Sequence, residues 1–291
     1  MITKAPKFCI ITPTAYLERY ASQSKMHLVL AHLVDDNQTY ADFYAKRSEF
    51  KIMDNGAFEL GASYDPTKLI ELGTKCKADV IVLPDYPFEP ASKTVGAATA
   101  MVDAVKDAGF KTMFVPQSLT CDVEDWIRGY MWAAETPSID LIGMSILGIP
   151  NALDHIHPGY ARVVMTQILL DRKLFNFEKY HHYLGLTSGP NLELPSLINM
   201  GVIDSCDSSG PVWAGICGHR YTPNADSFQS ISKVKKHVDF NYPMTEDKET
   251  LETIQHNVDM TNGLFKWIVD IDEDTYGYPT GKDNENVHTN I

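Results

Sequence analysis

Paired cysteines are missing from this sequence. The five cysteines are odd in number and form no Cys-x-x-Cys motif; they are Cys9, Cys76, Cys121, Cys206 and Cys217. A disulfide framework needs an even set, and a structural zinc site needs closely spaced ligands. The pairs His155/His157 and His181/His182 lack the spacing of a metal motif as well. We therefore expect neither a disulfide framework nor a metal site.

Long hydrophobic runs are also missing. No stretch approaches the roughly 20 consecutive apolar residues that a membrane span requires. The apolar run near the first residues is too short for a signal peptide. These features predict a cytoplasmic protein.

Glycine-rich phosphate loops do not occur. The sequence contains neither GxGxxG nor GxxxxGK followed by Ser or Thr. Nucleoside triphosphate hydrolysis and dinucleotide-dependent redox chemistry commonly use such loops. We therefore expect no cofactor.

Positive charge is scarce. The chain has 25 Lys and Arg against 38 Asp and Glu, a formal net charge of −13. This argues against a broad basic surface for nucleic-acid phosphates. The candidates for phosphate contact are Arg220 and the basic run formed by Lys233, Lys235 and Lys236. Such a run is more commonly a solvated face.

Short β-rich apolar runs are present throughout most of the chain, and longer segments of helical periodicity separate them. The runs cover residues 8–12, 27–33, 50–54, 79–85, 111–117, 140–145, 182–186 and 202–208. The clearest helices are predicted at 91–108, 123–134 and 160–174. This alternation is typical of parallel strands. Eight runs favour a single-domain (β/α)8 TIM-type barrel, with a doubly wound open sheet as the alternative.

The pattern weakens beyond Pro211. An amphipathic helix is predicted at 250–269, where it could pack on the outside of the barrel. The last residues are polar and acidic. We therefore predict one barrel domain with a C-terminal helix over 1–267, followed by a tail over 268–291.

Polar residues follow several predicted strands. Since active sites of parallel barrels lie at the carboxyl ends of the strands, these residues suggest chemistry. They are Asp54, Asp85, Gln117, Gly143, Ser145, Gly185, Asp204 and Asp207. A single Asp there is about as often a helix cap or turn former. Carboxylates from separate strands facing one pocket suit displacement at an anomeric carbon, with one as nucleophile and one transferring a proton.

Six short motifs occur in order at these strand ends. They are DNGAF at 54–58, PDY at 84–86, PQS at 116–118, GMSILG at 143–148, YLGL at 183–186 and SCD at 205–207. Together they resemble the strand-end motifs of the tRNA-guanine transglycosylase superfamily over roughly residues 50–210.

The resemblance implies roles for the matching residues. Asp207 corresponds to the nucleophile and Asp54 to the acid/base aspartate. Asp85, Gln117 and Gly143 correspond to contacts with a guanine-like base. The same motifs place three further residues in the substrate site, and these are Asn55, Ser145 and Gly185. The implied reaction exchanges guanine for a 7-deazaguanine base through a glycosyl-aspartate intermediate, without a cofactor.

The chain departs from the members that act on tRNA. After Asp207 it has only Cys217 and no zinc-binding cysteine cluster. It is therefore most similar to the compact viral enzymes that place 7-deazaguanine derivatives in DNA, which would act in the host cytoplasm, and DNA is favoured over tRNA. Phe58, Tyr86 and Trp213 could stack on a base, although core packing is the more common role for a residue such as Phe58.

Other functions remain open from the sequence. The chain could act on tRNA, or it could be a nucleoside or glycoside hydrolase that uses the same two carboxylates with water as the acceptor. It could also be a non-catalytic homologue that binds nucleic acid.

Overall fold

The structure is a computed structural model that describes residues 5–186, 190–222 and 237–266. It contains eight β-strands. They are β1 (Lys7–Ile10), β2 (Met26–Leu30), β3 (Phe50–Asp54), β4 (Val80–Val82), β5 (Lys111–Phe114), β6 (Leu141–Gly143), β7 (Tyr180–Tyr183) and β8 (Ser205–Ser208). Each overlaps one predicted run, so all eight predicted strands are confirmed. Most are shorter than the apolar runs, because several run residues belong to the loops that follow.

The strands form one parallel sheet that curves into a barrel. Its hydrogen-bonded order is β1-β8-β7-β6-β5-β4-β3-β2, and β1 and β2 lie against each other to complete the ring. In register, Cys9 is paired with Asp207 and Leu30 with Asp54. This confirms the single-domain (β/α)8 barrel and excludes the doubly wound open sheet.

Helices follow or connect the strands. They are α1 (Ala31–Asp36), α2 (Gln38–Ala45), α3 (Ala57–Leu60), α4 (Pro66–Cys76), α5 (Ala91–Asp107), α6 (Val123–Glu135), α7 (Gly148–Ala152), α8 (Pro158–Asp171), α9 (Pro190–Asn199), α10 (Gly210–Ile216) and α11 (Lys248–Lys266). The helices predicted at 91–108, 123–134 and 160–174 correspond to α5, α6 and α8.

Local sequence explains where several helices begin. Asp65 accepts a hydrogen bond from the Lys68 backbone N–H, and Pro66 occupies the first turn of α4. Asp122 caps α6 in the same way through the Asp125 N–H. Such side chains satisfy backbone donors that have no partner within the helix.

The C-terminal helix α11 packs on the outside of the barrel, as predicted. It contacts α10, α9 and β1, and the ring of Phe265 stacks on Phe8 with centroids 5.5 Å apart. The predicted tail over 268–291 and the basic run at 233–236 lie outside the described residues. Within the described residues, no helix is both long and apolar enough to cross a membrane.

Candidate functional site

A cavity of about 800 Å³ opens at the carboxyl ends of the strands. Seven of the predicted site residues line it, and they are Asp54, Asn55, Asp85, Gln117, Ser145, Gly185 and Asp207. The parallel barrel brings them together because it aligns the ends of all eight strands at one face.

Gly143 was predicted to contact the substrate, but it lies in β6 and is not part of the cavity lining. A Cβ atom there would lie 2.9 Å from both Leu184 Cδ1 and Val115 Cγ2. Both of those side chains line the cavity. The glycine therefore allows them to pack closely beneath it.

Asp54 ends β3 and faces the cavity. Its Oδ2 accepts a hydrogen bond of 2.9 Å from the Gly56 backbone N–H, which depends on a left-handed backbone at Gly56 with φ of +82°. Burial raises the pKa of the Asp54 carboxyl to about 8, and the nearby charge of Glu59 adds to the effect. The buried site therefore favours the protonated form of Asp54.

Glu59 is a fourth acidic residue in the cavity, and the sequence analysis missed it. It lies in the short helix α3, and burial raises the pKa of its carboxyl as well. His32 Nδ1 is 3.9 Å from Glu59 Oε2, and burial lowers the pKa of this histidine. The sequence did not predict that Glu59, five residues after Asp54, faces the cavity, because this orientation depends on the turn at Gly56.

Asp85 is held by two side-chain amides. Asn55 Nδ2 donates to Oδ1 at 2.7 Å and Gln117 Nε2 donates to Oδ2 at 2.6 Å. Burial raises the pKa of the Asp85 carboxyl, and these two hydrogen bonds oppose the rise. The arrangement fixes the carboxyl group, whose remaining lone pairs can accept hydrogen bonds from a ligand.

Asp207, in β8, is connected to β7 by several hydrogen bonds. Its Oδ1 accepts one of 2.9 Å from the Gly185 backbone N–H and lies 3.1 Å from His182 Nε2. His182 Nδ1 in turn lies 2.7 Å from Ser205 Oγ. From the sequence, His182 was considered only as part of a pair that lacks the spacing of a metal motif. The available signal was its position in a strand beside β8, where it pairs in register with Ser205.

Asp204, in contrast, does not line the cavity. It precedes β8, and its Oδ2 accepts a hydrogen bond of 2.7 Å from the His181 backbone N–H. It lies at the amino end of the strand, whereas Asp207 lies near the carboxyl end. The parallel register thus separates two aspartates that are only three residues apart.

A buried ion pair supports the β7 side of the cavity. The side chains of Arg162 and Glu193 are both 0% exposed, and two of the guanidinium nitrogens, Nε and Nη2, donate to the two carboxylate oxygens at 2.6 and 2.7 Å. The other guanidinium donors bind the backbone carbonyls of Met144, Leu184 and Gly185. Arg162 thereby fixes the turn from which Gly185 donates to Asp207.

The cavity is acidic. Its lining contains Asp54, Glu59, Asp85 and Asp207, and among the described residues no lysine or arginine lines it. The candidate Arg220 is exposed and lies outside the lining. The described part of the chain also contains no group of three or more side chains that could hold a metal ion.

The three aromatic candidates differ in location. Trp213 is buried and packs against Tyr242 with ring centroids 5.8 Å apart. Tyr86 is half-buried beneath the Lys93 amine, which lies 4.6 Å from its ring centroid. Phe58 is 65% exposed and lines the cavity, so the expectation that it packs in the core is wrong.

No protein-family model matches this chain, and no curated protein matches it. Among solved structures, CdNal from Clostridium difficile in complex with mannosamine is 9% identical, with a TM-score of 0.41 over 72% of this chain and 71% of that one. A Schiff base forming fructose-1,6-bisphosphate aldolase is 12% identical, with a TM-score of 0.36 over 67% and 90%. A monomeric dihydrodipicolinate synthase variant is 12% identical, with a TM-score of 0.41 over 90% and 98%.

These findings correct the resemblance to the tRNA-guanine transglycosylase superfamily. No family model supports it, and the solved structures described above are of other enzymes. The physical reason is that polar motifs gather at the strand ends of any parallel barrel enzyme, so their order is not specific to one family. The likeness to these structures is too distant to assign a reaction to this chain.

The functions inferred from that resemblance are corrected with it. Exchange of guanine for a 7-deazaguanine base in DNA is wrong, and the tRNA, hydrolase and non-catalytic nucleic-acid-binding alternatives are not supported either. Nucleic acid and a 7-deazaguanine base are therefore no longer expected as partners.

Proposed function

We propose that the cavity is the active site of an enzyme that transfers protons on a small neutral or cationic organic molecule. The observation that carries the proposal is the contrast between Asp54 and Asp207. Burial and the nearby charge of Glu59 raise the pKa of Asp54, whereas Asp207 accepts a backbone hydrogen bond and lies beside His182. Two carboxyl groups in contrasting environments suit a general acid and a general base.

The charge of the cavity limits the substrate. No lysine or arginine is among the described lining residues, so an anionic substrate would find no such cationic partner among them. Asp85 is fixed by Asn55 and Gln117 as an acceptor. A neutral or cationic molecule with several N–H or O–H donors fits these groups best.

The two carboxyl groups have complementary tasks in this proposal. Asp207 accepts a proton from the substrate, and Asp54 donates its proton to the oxygen or nitrogen on which electrons accumulate. Removal of a proton from one atom and donation of a proton to another are the steps of an elimination or an isomerisation. In an elimination, the proton is then returned from Asp207 to Asp54 through solvent. In an isomerisation, Asp207 instead gives its proton to the neighbouring substrate carbon and Asp54 takes its own proton back, which restores the enzyme.

Schiff base chemistry is a different possibility, and the site does not favour it. It requires a lysine amine at the reacting carbon, and no lysine lines the described cavity. The buried Lys51 lies toward the other end of β3, where its Nζ donates to the carbonyls of Arg47 and Glu49. We therefore assign proton transfer to the carboxyl groups alone.

The proposal can be tested by proton exchange in D2O. Amino ketones, hydroxy ketones and amino sugars, which carry C–H bonds next to a carbonyl carbon, would be incubated with the wild type and with Asp54→Asn and Asp207→Asn, and loss of C–H signals would be followed by proton NMR. We expect exchange or product formation with the wild type and a loss of about 100-fold or more in each variant. Equal rates in all three proteins, or no reaction with any of these compounds, would contradict it.

A further inference from the structure

Large apolar side chains are exposed in and next to the segments that line the cavity. Phe58 is 65%, Leu60 52% and Phe88 56% exposed. We refer to these three residues as the apolar rim. They follow β3 and β4, which are neighbouring strands. Single exposed apolar residues are common on protein surfaces, whereas a group beside a cavity indicates binding.

The exposed position of Phe88 is built into its loop. Its backbone is left-handed with φ of +67°, a conformation that is rare and unfavourable for a bulky residue. The surrounding turn is held by a hydrogen bond from the Glu89 N–H to the Tyr86 carbonyl and by one from the Tyr86 N–H to Thr94 Oγ1. Backbone strain of this kind is frequently found at ligand sites.

The apolar rim is continuous with the cavity. Phe58 and Leu60 line it, as does Pro87, which directly precedes Phe88. The carboxyl groups at the strand ends form the floor of the cavity together with apolar strand residues such as Leu28 and Val82. The exposed Phe58 and Leu60 extend this apolar lining toward solvent. A volume of about 800 Å³ falls within the range of sites for ligands of drug-like size.

We propose that the substrate is amphipathic, with a donor-rich end that reaches Asp54, Asp85 and Asp207 and a flat apolar portion that covers the apolar rim. This inference rests on the proposed function, since it describes the substrate of the same site. The exposed area of the apolar rim is too small for a stable interface with a protein partner. Side chains of this type offer at most roughly 200 Å² each, and three of them fall short of the roughly 800 Å² that each partner of a stable interface buries.

A matched pair of compounds tests the inference. The first is 1-amino-3-phenoxypropan-2-ol, and the second carries a methoxy group in place of the phenoxy group. Both present an ammonium and a hydroxyl to the acidic floor, but only the first has a ring for the apolar rim. Binding would be measured by isothermal titration calorimetry with the full chain.

We expect the phenoxy compound to bind the wild type at least about tenfold more tightly than the methoxy compound, because the ring is removed from water. Phe58→Ser and Phe88→Ser should each reduce this ratio severalfold. The control is Phe177→Ser, which replaces a phenylalanine of equal exposure, 65%, that lies before β7 at the opposite end of the barrel. It should leave the ratio unchanged.

The outcomes separate this inference from the proposed function. Equal affinity of the two compounds for the wild type, or an equal ratio in all variants, overturns the amphipathic substrate and leaves proton transfer intact. If Asp207→Asn binds both compounds as tightly as the wild type does, Asp207 does not contact the donor-rich end. That result contradicts the proposed function and not the role of the apolar rim. If sedimentation shows that Phe58→Ser converts a dimer to a monomer, the apolar rim is a protein interface and the inference is overturned. Failure of both compounds to bind the wild type would also overturn it.

Discussion

The two sides of the cavity place carboxyl groups in opposite surroundings. On the β3 side, Asp54 has Glu59 nearby and accepts one backbone hydrogen bond, and burial raises its pKa. On the β7–β8 side, Asp207 has Gly185 and His182 as neighbours, and the Arg162–Glu193 pair fixes the adjacent turn. Asp54 shows that residue type alone does not set the pKa of an aspartate, because burial and nearby charge contribute to it.

The largest expected effect comes from breaking the buried ion pair. Arg162→Met leaves the Glu193 charge buried without its bidentate partner, and it also removes donors from three carbonyls. We expect the free energy of unfolding to fall by about 3–5 kcal/mol, measured by urea denaturation. A loss below about 1 kcal/mol would show that the pair does not support this side of the cavity.

Gly185→Ala should have the next largest effect. Gly185 has φ of +72°, and a Cβ atom there would lie 3.1 Å from Ile146 Cγ2. The left-handed backbone alone costs an alanine about 1–2 kcal/mol, and the close contact adds to this cost.

Gly201→Ala is the matched control for Gly185→Ala. Its φ is +68°, but a Cβ atom at Gly201 would meet no atom within 4 Å beyond its chain neighbours. It should therefore show the backbone cost alone, in the same urea denaturation. Equal losses in the two variants would mean that the Ile146 contact is relieved without cost.

Asp54→Asn should stabilise the protein at alkaline pH. Because the pKa of Asp54 is raised on folding to about 8, the folded state binds more protons than the unfolded state between pH 4 and pH 8. The stability of the wild type therefore falls as pH rises through this window. The variant lacks this dependence, so we expect a gain in the free energy of unfolding at pH 8 and little gain at pH 4. Thermal unfolding at both pH values checks this, and an equal gain at both would contradict the assignment.

The smallest effect is expected at an exposed ion pair with the same residue types as the buried one. Arg172 Nη1 lies 2.7 Å from Glu124 Oε1, and the two side chains are 46% and 61% exposed. Arg172→Met should cost less than about 1 kcal/mol, since solvent screens such pairs. If Arg172→Met lowers the free energy of unfolding as much as Arg162→Met does, burial does not determine the contribution of these ion pairs.

The strand ends were predictable because two local signals coincide there. An apolar run such as FKIMD is followed directly by polar residues and glycine, which identifies both the strand and its carboxyl end. Asp54, Asp85 and Gln117 were found in this way. Their functional roles stay predictions, whereas their common location at the cavity is a property of the barrel.

His182, Glu59 and Arg162 could not be assigned from the sequence in the same way. His182 lies inside a strand with an unremarkable local pattern, and its importance depends on Asp207, 25 residues later. Arg162 depends on carbonyls of the loops that follow β6 and β7. The family resemblance failed for a related reason, because short polar motifs are shared by barrels of many functions.

The sequence by itself determined the alternation of strands and helices, the barrel that eight strands form, and the polar residues that gather at one face. These features follow from the periodicity of apolar residues and from turn and cap residues, which act over a few positions. Only the tertiary structure decided that burial raises the pKa of Asp54, that His182 contacts Asp207, and that Phe58 and Phe88 remain exposed. Burial and charge proximity join residues far apart in the chain, so no local pattern contains them.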